Sequence, residues 1–96
     1  MHLVVSYDVN TTTPEGAKRL RKVAHLCEKY GVRVQNSVFE LDVDPAQETT
    51  LRCGLERIIN SEKDSVRFYR LGKNWESRVD SIGRKQVITL GGDLIL

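Results

Sequence analysis

Ninety-six residues, 40% hydrophobic and 29% charged, are expected to form one small globular domain, residues 1–96, rather than a disordered or fibrous chain. A domain of this size buries only about 60–65% of the surface its unfolded chain exposes, so it gains from a partner subunit. The formal net charge of +2 is too small to imply nucleic acid by itself. No apolar run approaches the roughly 18 residues of a membrane span. Met1-His2 leads into a strand-like stretch without a basic region or cleavage site, which points to the cytoplasm.

In chain order, residues 3–9 (LVVSYDV) read as a strand with Leu3, Val5, Tyr7 and Val9 on one face and Val4, Ser6 and Asp8 on the other. Turn formers fill 10–13. Thr13-Pro14 then starts a helix: Thr is the cap, Pro the first helical residue, and Glu15 complements the dipole. The helix is expected to run to about Tyr30, with Gly31 as a left-handed stop and Ala17, Leu20, Val23, Ala24 and Cys27 as its core stripe. Residues 32–43 alternate without a cleanly apolar face. Val32, Val34, Asn36, Val38 and Glu40 fall on one side, and Arg33, Gln35, Ser37, Phe39 and Leu41 on the other.

Asp44-Pro45-Ala46-Gln47 opens a second helix by the capping-box pattern, with Leu51, Leu55, Ile58 and Ile59 buried and Cys53 near the opposite side. Residues 65–71 (SVRFYRL) make a third core strand. Asn74 to Ile82 is a short helix or turn, Gln86 to Leu90 a short strand and Leu94 to Leu96 a final one, the last two separated by Gly91-Gly92-Asp93. If 32–43 bends or splits, the order is the βαββαβ of an α+β, ferredoxin-like fold with a short C-terminal strand extension. Cys27 and Cys53 show no metal-ligand spacing and read as two reduced thiols.

Three groups of residues are candidates for chemistry. Asp8, at the carboxyl end of the first strand and followed by Asn10, is either a ligand for a hard cation or a loop cap bonded to nearby amides. From Lys18 to Arg33 there are six basic residues (Lys18, Arg19, Arg21, Lys22, Lys29 and Arg33) and one acid, Glu28. That face is either a solvated surface or a phosphate-binding one. Arg33, just before the polar set Gln35, Asn36 and Ser37, strengthens the second alternative. Phe39, Phe68 and Tyr69 are core residues or base-stacking platforms, but VRFYRLG lacks the glycine-aromatic motif of sheet-type RNA readers.

The segments VVSYDVN, GAKRLRKVAHLCEKYG, RVQNSVFEL and DSVRFYRLG together resemble the CRISPR-associated Cas-two family over nearly the whole chain, closest to members from type I-C-like systems. The resemblance implies a ferredoxin-like homodimer whose first-strand aspartates meet across a two-fold axis and whose C-terminal tail joins the partner's sheet. It further implies a metal-dependent endonuclease, using Mg²⁺ or alternatively Mn²⁺, on single-stranded RNA or double-stranded DNA. The same dimer would bridge prespacer DNA between copies of the larger Cas integrase subunit. Carried to this chain, the resemblance makes Asp8 the catalytic residue and metal ligand, and matches Arg19, Arg33 and Phe39 to positions of substrate handling or site integrity, with Gln35 and Ser37 in the same motif. With Lys18 and Lys22 of the basic helix, Arg19, Arg33, Gln35 and Ser37 are the expected nucleic-acid contacts, and Asn10 and Phe39 are expected to support the site. A non-catalytic scaffold and a related RNA-cleaving toxin are the competing functions.

Overall fold

The computed structural model describes residues 1–83, 87–88 and 94–95. Strand β1 (His2–Asp8) leads to helix α1 (Pro14–Glu28), strands β2 (Gly31–Gln35) and β3 (Val38–Asp42), helix α2 (Pro45–Ile58) and strand β4 (Ser65–Arg70). A single turn, α3 (Trp75–Arg78), and the two-residue strands β5 (Val87–Ile88) and β6 (Leu94–Ile95) follow. The sheet order is β4-β1-β3-β2-β5-β6 with every pairing antiparallel. Its first four strands with α1 and α2 make the ferredoxin-like βαββαβ unit. The short strands lie within the expected segments, while Gln86, the Gly91-Gly92-Asp93 separator and Leu96 fall outside the described residues. Among the described residues no helix is long and apolar enough to cross a membrane.

One face of the sheet carries both helices. Leu3, Val5, Tyr7 and Val9 from the first strand region, Phe39 and Leu41 from β3, Val23, Ala24 and Cys27 from α1, and Leu51 and Leu55 from α2 form one buried cluster. This is the alternation and helical spacing expected of the sequence. Each fully buried Leu or Val contributes about 1.5–3 kcal/mol. Leu20 and Ile58 pack only partly buried at its margin, and Ala17 is half-exposed.

Both helices start as their sequences direct. The Thr13 hydroxyl accepts the Gly16 amide at 3.1 Å. Asp44 and Gln47 exchange side-chain-to-backbone bonds at 2.7 and 3.0 Å, completing the capping box. The end of α1 differs from expectation. Lys29 caps it in right-handed geometry, and Gly31 has no positive φ. Gly31 instead opens β2, where a Cβ would stand 2.2 Å from the Glu40 carbonyl oxygen. Close approach of β3, not a left-handed turn, is what requires glycine there.

The expected single stretch 32–43 splits at Asn36-Ser37, and β2 carries a bulge between Arg33 and Gln35. Arg33 opposes Phe39, but Gln35 opposes Val38. The extra residue moves Gln35 off the Arg33–Phe39 side, where strict alternation would put it, and onto the face with Val38.

Gly16 fixes the β1–α1 connection. A Cβ there would lie 1.9 Å from the Asn10 carbonyl oxygen, so the loop after β1 rests directly on the first turn of α1. Gly16→Ala is expected to destabilise the protein by about 1–3 kcal/mol, the overpacking clash exceeding the gain of up to about 1 kcal/mol in helix propensity. Urea unfolding measures this, and a variant as stable as the parent would show that the contact does not constrain the loop.

Candidate functional site

Asp8 ends β1, between β4 on one side and β3 on the other. It is exposed and lies on the sheet face away from the helices, directly opposite Ser65. The Tyr7 amide donates to the Ser37 carbonyl at 3.0 Å, and the Tyr7 hydroxyl donates to the Asn36 carbonyl at 3.4 Å. The Asn36-Ser37 turn, with Gln35 just before it, therefore sits at the same end of the sheet as Asp8. Asn10 is the loop cap: its side-chain oxygen accepts the Thr12 amide at 3.0 Å and the Thr12 hydroxyl at 2.7 Å. Among the described residues the Asp8 side chain accepts no hydrogen bond and joins no ion pair, which leaves its carboxylate open to a ligand, while its backbone pairs with β4.

The segments around Asp8 are tied together by a residue to which sequence reasoning gave no role. Asp64, just before β4, has a fully buried side chain and is bonded to Arg19 of α1, with Nε at 2.8 Å and Nη2 at 3.3 Å. It also accepts the Asn10 amide at 3.0 Å and the Asn60 amide at 2.9 Å. The Arg19 guanidinium holds its carboxyl down at about 2, against burial, which pushes the other way, and with help from the Asn60 and Asn10 amides. One carboxylate thus joins the loop after β1, the first half of α1 and the entry to β4. Arg19, expected at a phosphate, spends its charge inside the fold.

Arg33 and Phe39 are also brought together, on the helix side of the sheet. The Arg33 guanidinium lies 5.4 Å from the centroid of the buried Phe39 ring, and its Nη2 pairs with Glu28 at 3.2 Å. Burial pushes the Tyr7 hydroxyl beneath it up to about 12, with Arg33 acting in the opposite direction. Burial likewise pushes Cys27 up to about 12, making it an unreactive core thiol, while Cys53 is exposed; both are free. Lys18 and Lys22 stand exposed on α1. The sheet therefore separates Asp8, Gln35 and the β3 side chains around Val38 from Arg33, Phe39 and the helical lysines.

The face bearing Asp8 is mixed, a patch of valines edged by Gln35, Asn36, Glu40, Asp42, Glu76 and Asp80. Val4, Val32, Val34 and Val38 line a shallow concavity there with Trp75 and Val79. Trp75 stacks on His2 with ring centroids 3.8 Å apart, and His2 Nε2 lies 3.2 Å from Glu40 Oε1. Arg67 also belongs to this face: it opposes Ser6, diagonal to Asp8, and its guanidinium lies 5.5 Å from the Tyr69 ring centroid. The alternation of SVRFYR, with Val66 and Phe68 inward, was the available signal for Arg67. Asp64 had none, because its partner is 45 residues away.

The residues fit a hard cation only in part. Among the described residues no three His, Cys, Asp or Glu side chains gather into a metal-binding group. Asp8 supplies one carboxylate, with the Ser6 and Ser65 hydroxyls nearby on the same face. Mg²⁺ is commonly held by one or two carboxylates with water and substrate phosphate completing its shell.

Residues 1–79 match the family described as CRISPR associated protein Cas2. The chain is 54% identical over 94 residues to a CRISPR-associated endoribonuclease Cas2 of Rhodospirillum rubrum, covering 98% of this chain and 99% of that protein. It is 52% identical to the CRISPR-associated endonuclease Cas2 of Halalkalibacterium halodurans, with 99% of each covered. The crystal structure of Streptococcus pyogenes Cas2 at pH 6.5 superimposes with a TM-score of 0.80 at 57% identity, covering 86% of this chain and all of that one. The ferredoxin-like fold and these full-length matches agree: the chain belongs to the CRISPR-associated Cas2 family.

Proposed function

We propose that the protein is a metal-dependent endonuclease of CRISPR adaptation. In this reading two copies close with their helix-free sheet faces toward each other and pair their Asp8 carboxylates around one Mg²⁺ or Mn²⁺. The observation that carries it is the exposed Asp8 carboxylate, unpartnered among the described residues, at the tip of a central strand on the helix-free face of the sheet. A two-fold contact duplicates every residue, so one half-site becomes two. Two carboxylates brought together without a cation would repel, and one would take up a proton. The names of the relatives, endoribonuclease and endonuclease, support phosphodiesters of RNA or duplex DNA as substrate.

When bound, the ion would supply charge against the phosphoryl oxygens and acidify a bound water. Asp8 would orient that ion, and Arg67, diagonal to it, would draw the scissile phosphate onto the same face. Gln35 and Ser37 would contact the strand beside Asp8, and Lys18 and Lys22, on the helical side of the sheet, would hold nucleic-acid backbone away from the point of cutting. Arg33, Phe39 and Asn10 would act by shaping β2 and the β1–α1 loop, and Arg19 by positioning Asp64. Among the described residues the outer edge of β4 pairs with no strand, which leaves it open to a partner's tail. In the single chain β5 pairs with β2 instead.

The same dimer would lay prespacer duplex across itself and meet the larger Cas integrase subunit. A purely scaffolding role is the second reading, favoured by the placement of Lys18 and Lys22 on the helical side, away from Asp8. Purified protein incubated with labelled single-stranded RNA and duplex DNA, in Mg²⁺, Mn²⁺ or EDTA, decides between them. Cutting is expected with either ion and none in EDTA. Undiminished cutting in EDTA would refute metal dependence, and no cutting under any condition would leave the scaffold.

A further inference from the structure

We infer that the groove between α1 and the last turn of α2 is a phosphate-backbone subsite for a nucleic-acid duplex, with Arg57 as its unassigned cation. The inference rests on the nucleic-acid reading above and adds to it a location and a residue. The groove, about 350 Å³, is lined by Glu15, Lys18, Arg19, Lys22, Arg57 and Ile58. The crossing of the two helices makes it: a Cβ on Gly54 would stand 2.8 Å from the Leu26 side chain. Lys22, one turn before Leu26 on α1, and Arg57, one turn after Gly54 on α2, both line the crevice.

Its charge is unbalanced in a specific way. Arg19 is neutralised by the buried Asp64. Lys18, Lys22 and Arg57 join no ion pair among the described residues, and Glu15 offsets only one of them. Lys18 and Lys22, four residues apart on one helix, repel each other, and Arg57 adds a third like charge from the other helix. An anion seated between them relieves that repulsion. The groove contains no aromatic side chain, whereas single-stranded nucleic acid is gripped by bases stacked on aromatic rings. A site with a surplus of cations and no stacking platform suits the backbone of a duplex, whose bases face inward.

The groove lies on the helical side of the sheet and Asp8 on the other, so holding a duplex here is separable from cutting at Asp8. The test uses the full chain and a labelled DNA duplex, with binding followed as a function of salt. Arg57→Gln is expected to weaken binding about three- to tenfold and to lower the slope of log affinity against log salt by about one. Arg57→Lys should restore most of both. Arg52→Gln removes an equal charge from the same helix, but at the Phe68 ring, 4.6 Å from its centroid, and should change little. Equal binding by Arg57→Gln and the parent would overturn the subsite, as would an equal loss in Arg52→Gln. An equal loss on single-stranded DNA would overturn the duplex assignment. If the parent binds no nucleic acid at all, the functional reading of the whole protein falls with it.

Discussion

Replacing Asp8 with alanine is expected to reduce cleavage at least about a hundredfold, the scale on which losing a metal-orienting or charge-stabilising group acts. Asp8 is exposed and, among the described residues, unbonded, so the substitution should change stability by no more than about 0.5 kcal/mol. Nucleic-acid binding should persist or tighten, because removing a carboxylate lowers repulsion toward phosphate. Asp8→Asn, nearly the same in shape but without charge, should behave alike. The informative measurement is cleavage and binding on the same preparations. Activity within about threefold of the parent would remove Asp8 from the mechanism, since real loss of such a group costs far more. Loss of cutting and binding together would point to a structural role.

The second large effect concerns the buried pair beside it. Asp64→Ala is expected to cost about 3–5 kcal/mol, because it strands the Arg19 guanidinium and leaves the Asn10 and Asn60 amides without their acceptor. Against a total of about 5–15 kcal/mol for a small domain, that is a large share. Arg19→Ala should cost a similar amount by leaving the carboxylate buried alone. The pair also makes stability depend on acidity. The carboxyl titrates at about 2 in the folded chain against 3.8 ordinarily, so the folded state binds its proton more weakly than the unfolded state.

The resulting stabilisation, about 2 kcal/mol, is complete above pH 4 and is lost as pH falls from about 4 toward 2. Urea unfolding of the parent and of Asp64→Asn across pH 2–7 measures it. The parent should lose this contribution in acid, and the variant should lack that dependence. Parallel curves would show that Asp64 does not carry it.

The parts of this fold that depend on neighbours in sequence were legible in advance. The period of LVVSYDV, the Thr13-Pro14 start and the Asp44–Gln47 box all act within a few residues, and the structure contains each of them. Features set across the fold were not. Gly31 resembles a helix stop until β3 is seen against it, and Gln35 changes sides through a bulge that alternation does not register. Arg19 looks like any other cation on a basic helix. Its distinction is a carboxylate 45 residues away, which no helical period encodes. Asp8 was singled out by its position at a strand tip, and the exposure of its carboxylate required the structure.

Trp75, the sole tryptophan of the chain, lies face to face with an imidazole on the helix-free side of the sheet. Its indole therefore carries an intrinsic optical signal at the surface through which two copies would associate. Emission intensity and wavelength follow whatever shields or displaces that ring, so self-association can be followed in unlabelled protein, independently of any catalytic assay.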